Sequence, residues 1–234
     1  MTDCVVLAAN SHPDYSFLLP ITQAVWRCRT LYVPLSVPSH GIQRDRMAIK
    51  LSRWYSWRYA NPDDTLLLTD VDLWPIDGAF FNRPSARRVT LFYADAFQYK
   101  RHTTLNARFR ADALKEITEG KTWQERLEEI RKRPDDWEGR HSDDCAQSEL
   151  LMAWKGYPDE CEMVERGPSP PATRIDRSRW PETFDITGMV DAHLPRDASD
   201  GRVWRKILPL FDLLCPSHSK WVREYRDRWE REYE

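Results

Sequence analysis

Apolar residues along the chain follow two patterns: short continuous runs, and longer stretches in which they recur every three or four positions. A short run bounded by turn residues predicts a buried β-strand, whereas the longer spacing predicts an amphipathic helix. Strands are predicted at residues 4–9, 31–35, 66–69, 88–93, 161–166 and 174–177. Helices are predicted at residues 17–27, 44–59, 111–133, 145–154, 203–214 and near the C-terminus. This alternation predicts an α/β fold with a mixed, mostly parallel sheet flanked by helices.

The length of the chain bounds the number of domains. A chain of 234 residues can bury one sizeable core, so we expect a single domain over residues 1–234. Within it, a helical insertion is predicted at about 97–140 and C-terminal helices at about 203–234. The last helix carries aromatic residues at a spacing of four, which predicts packing against the body or, alternatively, a contact with a second molecule.

Two acidic residues, Asp70 and Asp72, directly follow the run of three leucines at 66–68, and Pro75 comes soon after. A buried strand that ends in such a pair delivers both carboxylates to the carboxyl edge of a sheet, where open α/β proteins bind their ligands. Carboxylate oxygens suit Mn²⁺ or Mg²⁺, so the pair predicts a metal site that is open to phosphate oxygens. The alternative is a polar turn that only closes the strand.

Two later stretches of the sequence carry polar residues whose role is either structural or functional. Asp143 and Asp144 directly precede a predicted apolar helix. Acidic side chains at a helix N-terminus stabilise the helix, which is the structural interpretation. A carboxylate there could also accept the proton of an acceptor hydroxyl, which is the functional one. His193 interrupts the apolar run at 187–196, and its neutral ring nitrogen is either structural or a further metal ligand.

The charge and composition of the chain limit the kinds of molecule that it is expected to bind. Charged residues make up 31% of the chain and nearly balance, with a formal net charge of −2, so no global basic field attracts nucleic acid or an anionic membrane. The N-terminus has no basic region, and its apolar run of about five residues is too short for a signal peptide or a membrane span, so a cytoplasmic location is expected. The five cysteines form no C-x-x-C pair, which predicts reduced thiols and no zinc site.

Four features, in this order, resemble the GT-A family of nucleotide-sugar glycosyltransferases. The first is the N-terminal strand that runs into Asn10, and the second is the strand that ends in Asp70 and Asp72. The third is the acidic helix start at residues 142–144, and the fourth is the late histidine, His193. Together these features cover most of the chain, and they imply a GT-A-like (Rossmann-type) domain.

The resemblance also implies a reaction: transfer of a sugar from a nucleoside-diphosphate sugar, with a UDP-sugar favoured, to an acceptor hydroxyl. The implied metal ligands for Mn²⁺ or Mg²⁺ are Asp70, Asp72 and His193. The implied acceptor-side catalytic residues are Asp144 and Asp143, in that order. The implied nucleotide contacts are Asn10, Asp14 and Tyr15 at the base and ribose, with simple turn chemistry as the alternative, and Asp70 at the diphosphate. By charge and position, Lys50 and Arg196 are further candidates for the diphosphate and Asp95 for the sugar, with a solvated helix face as the alternative for Lys50.

Two other functions remain open from the sequence. Phosphatases of the haloacid-dehalogenase type also end a strand in Asp-x-Asp and use Mg²⁺, but they resemble D-x-D-x-[TV], and Trp74 stands where Thr or Val is expected. A non-catalytic sugar- or nucleic-acid-binding module would use the 11 tryptophans for stacking. For a transferase the acceptor is a glycan, a protein or a hydroxylated base in DNA; the basic and aromatic residues at 97–110 favour testing DNA.

Overall fold

A computed structural model of the chain describes residues 3–30, 33–37, 46–92, 106–132, 142–165 and 173–233. The strands are β1 (Asp3–Leu7), β2 (Val33–Ser36), β3 (Thr65–Thr69), β4 (Leu73–Pro75), β5 (Val89–Phe92), β6 (Asn106–Arg110), β7 (Cys161–Val164), β8 (Arg174–Ile175) and β9 (Asp191–His193). The α-helices are α1 (Pro13–Arg29), α2 (Arg46–Arg53), α3 (Gly78–Phe81), α4 (Ala111–Thr118), α5 (Trp123–Arg131), α6 (Ser142–Ala153), α7 (Gly201–Leu214) and α8 (Ser219–Tyr233). Short 3₁₀ helices cover Ser56–Tyr59, Arg177–Arg179 and Pro216–His218.

The central sheet has six strands in the order β2-β1-β3-β6-β5-β7. Five of them run in one direction, and β6 runs against its neighbours β3 and β5. The carboxyl ends of β1, β2, β3, β5 and β7 therefore lie at one edge of the sheet. Pro34 lies in the edge strand β2, as its missing backbone donor predicts.

The two faces of this sheet are covered by different helices. Leu66 and Leu68 pack on one face with α2, α4, α5 and α6, whereas Leu67 packs on the other face with Trp26 of α1 and Phe81 of α3. This alternation follows from the two-residue period of a strand. The sequence prediction of a mostly parallel sheet flanked by helices is confirmed.

A second, three-stranded sheet has the order β4-β9-β8. Strand β4 begins one residue after Asp72 and pairs antiparallel with β9, so that Leu73 lies opposite His193. Strand β8 joins the other side of β9 in parallel. This small sheet brings residues near position 190 beside the end of β3.

Two predicted stretches differ from the structure. Residues 106–110, placed in the helical insertion and the basic-aromatic segment, form the internal strand β6; Phe109 is fully buried, and the Arg108 guanidinium donates to the carbonyls of Phe81 and Arg83. Hydrogen bonds to neutral backbone acceptors let an arginine line an internal strand, so residues 106–110 belong to the central sheet and not to a helical insertion. The predicted helix at 44–59 is also too long, since α2 ends at Arg53 and a turn and a 3₁₀ helix follow.

The aromatic stripe of α8 packs on the body of the protein, as its spacing predicts. The Phe17 ring of α1 lies 5.7 Å from the ring of Tyr225 and 5.3 Å from that of Trp229, and Trp204 of α7 meets it edge-on at 5.2 Å. Three other tryptophans, at positions 26, 54 and 74, are fully buried in the core. None of the helices in the described ranges has the length and apolar character needed to cross a bilayer.

Thr22 on α1 supports the chain directly behind the two acids. Its hydroxyl donates to the carbonyl of Val71 at 2.5 Å and accepts from the indole N–H of Trp74 at 2.9 Å, and all three residues are buried. Residue 71 separates the two carboxylates, so this bond sets the position of the backbone that carries them.

Replacing Thr22 by valine should lower the free energy of unfolding by about 2 kcal/mol, because the buried Val71 carbonyl and Trp74 N–H would both lose their partner. Urea denaturation followed by tryptophan fluorescence measures the loss. Thr30→Val at the end of the same helix is the control, since the half-buried Thr30 hydroxyl donates to the Trp26 carbonyl of its own helix, and its loss should cost less than about 1 kcal/mol. Equal losses for the two variants would contradict the supporting role of Thr22.

Candidate functional site at the carboxyl edge of the sheet

Asp70 and Asp72 lie on a tight turn at the carboxyl end of β3. The turn is closed by a hydrogen bond from the Leu73 N–H to the Asp70 carbonyl at 3.1 Å, and Val71 between the acids points into the core. Each acidic side chain is 16% exposed. The structure therefore places two mostly buried carboxylates at the sheet edge that the sequence predicts.

Asp70 forms an ion pair with Arg53, the last residue of α2. The distance from Arg53 Nη2 to Asp70 Oδ1 is 2.6 Å, and only 4% of the arginine side chain is exposed. Burial alone would raise the pKa of Asp70, but the positive charges of Arg53 and Lys50 outweigh it and hold the pKa below its usual value. The carboxylate is therefore ionised at neutral pH, and the predicted donor-binding residue Lys50 lies close enough to contribute to its field.

Asp72 lies beside His193 and Arg177. Its Oδ2 accepts a hydrogen bond from Arg177 Nη2 at 2.9 Å and lies 3.7 Å from His193 Nε2. The β4–β9 register creates this proximity, and the Leu194 N–H also donates to the Asp72 carbonyl at 2.8 Å. Burial lowers the pKa of His193, and Arg177 and Arg174 lower it further against the opposing effect of Asp72, so the ring is neutral at pH 7.

The donor atoms suit a hard divalent cation in part. The carboxylate oxygen of Asp72 is the ligand type that Mn²⁺ and Mg²⁺ prefer, and the neutral imidazole 3.7 Å away is a nitrogen ligand that Mn²⁺ accepts more readily than Mg²⁺. The carboxylate of Asp70 is paired with Arg53, and within the described ranges no group of three Asp, Glu, His or Cys side chains converges on one point. An ion at this position would therefore take two ligands from Asp72 and His193 and its remaining ligands from a bound molecule and water.

The predicted nucleotide contacts have different surroundings. Asn10, just beyond β1, is 4% exposed, and its Nδ2 is buried without an acceptor among the described residues, while its Oδ1 accepts from the His12 N–H. Asp14 accepts two hydrogen bonds from Ser199, which tie the turn at 197–200 to the start of α1. Tyr15 is half-buried, and Arg196 is exposed.

Three predicted site residues lie partly or wholly outside the described residues. Helix α6 begins at Ser142, so Asp143 and Asp144 lie in its first turn, but their side chains are not among those described. Asp95 follows β5 and lies outside the described ranges. The acceptor-side roles of these acids stay predictions.

Sequence reasoning missed the two arginines of the site. Arg53 falls within the predicted helix at 44–59 and is buried against Asp70. Arg177 was placed in an edge strand, yet it lies on a 3₁₀ turn that Asp176 caps. No local pattern distinguishes either arginine from the other basic residues of the chain. The only usable signal is physical: a mostly buried carboxylate requires a cation from elsewhere.

No protein-family model matches the sequence, and no curated protein is similar to it. Solved structures do match the fold. A glycosyltransferase involved in the glycosylation of the major capsid of PBCV-1 superposes with a TM-score of 0.51 at 13% identity, over 87% of this chain and 97% of that protein. The chain has the GT-A glycosyltransferase fold. GlyE, a glycosyltransferase of Streptococcus pneumoniae TIGR4, superposes with a TM-score of 0.54 at 12% identity, over 95% of this chain and 64% of GlyE.

Within the GT-A fold, the turn that carries Asp70 and Asp72 lies at the carboxyl edge of the central sheet. Strand β3 occupies the middle of the sheet, and the turn after it lies at the edge where β1 also ends near Asn10. The predicted fold family is therefore confirmed. The phosphatase alternative, which rests on the Asp-x-Asp pattern alone, loses its support.

Replacing Arg53 by methionine should lower the free energy of unfolding by about 3 kcal/mol, because it leaves the mostly buried Asp70 carboxylate without its cation. The double variant Arg53→Met/Asp70→Asn should recover most of that loss, since the uncompensated charge is gone. Urea denaturation of both single variants and the double variant measures the coupling.

Arg58→Met serves as the matched control, because Arg58 is exposed and lies over the rings of Tyr55 and Trp57. Its loss should cost less than about 1 kcal/mol. Additive effects of the Arg53 and Asp70 substitutions would contradict the proposed charge compensation.

Proposed function

We propose that the chain is a glycosyltransferase that moves a sugar from a nucleoside-diphosphate sugar, with a UDP-sugar favoured, to an acceptor hydroxyl with the help of Mn²⁺ or Mg²⁺. The observation that carries the proposal is the placement of Asp70 and Asp72 on a GT-A fold, at the carboxyl end of β3, with His193 beside the second acid. The sequence resemblance and the GT-A fold both support this proposal.

Asp72 and His193 would hold the metal ion, and Asp70 would contribute through its field and its contact with Arg53. When bound, such an ion neutralises the negative charge that develops on the diphosphate leaving group. The residues of this chain determine where the donor lies. Carboxylates that are fixed on a buried strand and a packed turn lose little freedom when a ligand binds, which favours a defined donor geometry.

Asn10 supports a nucleotide at the same edge. A buried amide N–H that has no acceptor is costly in a protein alone, and a ligand oxygen would satisfy it. Arg53 also has two buried nitrogens, Nε and Nη1, without acceptors among the described residues. Together with Lys50 these donors suit the oxygens of a ribose or a diphosphate.

On the acceptor side we propose that Asp144, or its neighbour Asp143, accepts the proton of the attacking hydroxyl or orients the sugar. The first turn of a helix gives a carboxylate a favourable field and keeps it ionised, as a proton acceptor must be. The acceptor itself would be a glycan, a protein or a hydroxylated base in DNA. The complete burial of Phe109 removes one aromatic member of the predicted DNA groove.

Calorimetry with UDP, GDP, TDP and CDP, each with and without Mn²⁺, tests the class and the donor base together. We expect one of them, with UDP favoured, to bind in a metal-dependent manner. Asp72→Asn should weaken that binding by about 100-fold, since it removes a charged ligand. Asp185→Asn is the control, because Asp185 is an exposed acid that only caps a turn at Thr187. Unchanged metal dependence in the Asp72→Asn protein would reject the site assignment.

Asp144→Asn should lower kcat by about 100-fold or more while the Kd for the nucleotide stays the same, because a proton acceptor acts after the donor has bound. Release of UDP from a UDP-sugar, with water or an added sugar as acceptor, measures the rate. Glu149→Gln, at an exposed position further along α6, should leave the rate unchanged. A parallel loss of nucleotide affinity in Asp144→Asn would instead place this residue on the donor side.

A further inference from the structure

The Arg177 side chain bridges the two side chains that would hold the metal. Its Nη2 donates to Asp72 Oδ2 at 2.9 Å, and its Nε donates to His193 Nδ1 at 3.2 Å. The same Asp72 oxygen faces His193 Nε2 at 3.7 Å. A single guanidinium thus neutralises the carboxylate and fixes the imidazole, in a region where the arginine side chain is 24% exposed.

This contact determines which nitrogen of the neutral imidazole carries the proton. A guanidinium N–H can only donate, so His193 Nδ1 must offer its lone pair to Arg177. The ring proton then lies on Nε2 and faces Asp72. A metal ion beside Asp72 would need the lone pair of that same Nε2. The arrangement in the structure and metal ligation therefore require opposite tautomers of His193.

We propose that Arg177 and the metal ion are mutually exclusive partners of Asp72 and His193, so that Arg177 closes the site until the metal–donor complex displaces it. This inference rests on the proposed function and adds a residue to it. Displacement leaves the guanidinium beside the incoming diphosphate, whose oxygens it binds well in a paired geometry. Arg177 thus exchanges a carboxylate partner for a phosphate partner, and the net charge of the site changes little.

The neighbouring residue, Asp176, provides the other tautomer with a partner. Its Oδ2 lies 3.7 Å from His193 Nδ1, while its Oδ1 accepts from the Ser178 N–H and hydroxyl. When Arg177 leaves, the ring proton passes from Nε2 to Nδ1 through water and faces Asp176, and Nε2 presents its lone pair. A carboxylate behind a metal-bound histidine orients the ring and raises its basicity. Two adjacent residues therefore act in opposite directions on metal binding.

The test is Mn²⁺ binding in the absence of nucleotide, measured by electron paramagnetic resonance of the free ion and by calorimetry. Arg177→Ala should bind Mn²⁺ about tenfold more tightly than the unmodified protein, because it removes a competing cation from both ligands. Asp176→Asn should bind Mn²⁺ about tenfold more weakly. Arg179→Ala and Asp185→Asn change the same charges at exposed positions outside the cluster and should leave the affinity unchanged.

Unchanged or weaker Mn²⁺ binding by Arg177→Ala would overturn the proposal, and so would the absence of Mn²⁺ binding in every variant. Thermal unfolding of each variant separates these results from misfolding, and Arg177→Gln provides a second neutral substitution of similar size. UDP binding, measured on the same samples, distinguishes a failure of the Arg177 exchange from a failure of the proposed glycosyltransferase function. Nucleotide binding with no Arg177 effect would reject only the exchange, whereas loss of both Mn²⁺ and nucleotide binding would reject the proposed function.

Discussion

The structure depends on charge compensation at the end of a buried strand. Asp70 and Asp72 are mostly removed from water, and a desolvated carboxylate stays ionised only when a cation or several donors are near it. Arg53 pairs with the first acid and Arg177 with the second. The acidic turn is therefore a set of paired charges.

Backbone geometry, more than side-chain choice, fixes the positions of these groups. The register of β4 against β9 places His193 beside Asp72, and Thr22 holds the intervening backbone from the core side. The small sheet is itself held by Asp191, which accepts two hydrogen bonds from Arg174 and is only 1% exposed. Because Thr22 and Asp191 are both buried, the backbone that carries Asp72 and His193 is held from the core side.

The N-terminal and C-terminal parts of the chain are tied together near the same region. Asp14 at the start of α1 binds Ser199, whose carbonyl accepts from Arg226 of α8. The Phe17 ring adds aromatic contacts with α7 and α8. A turn that looks flexible in the sequence is thus fixed by residues far from it in the chain, since a local pattern of Asp, Ser and Gly carries no information about remote partners.

The sequence by itself determined the strand–helix alternation, the burial of the leucine strand and the delivery of two acids to its end. These features follow from local periodicity, which reports the burial of each face. Only the tertiary structure decided that residues 106–110 form an internal strand, because the polar atoms of Arg108 are satisfied by carbonyls from another loop. It alone decided that Arg53 and Arg177 compensate the acids. Such pairs join residues up to 105 positions apart, and pairing at that separation depends on how the elements pack.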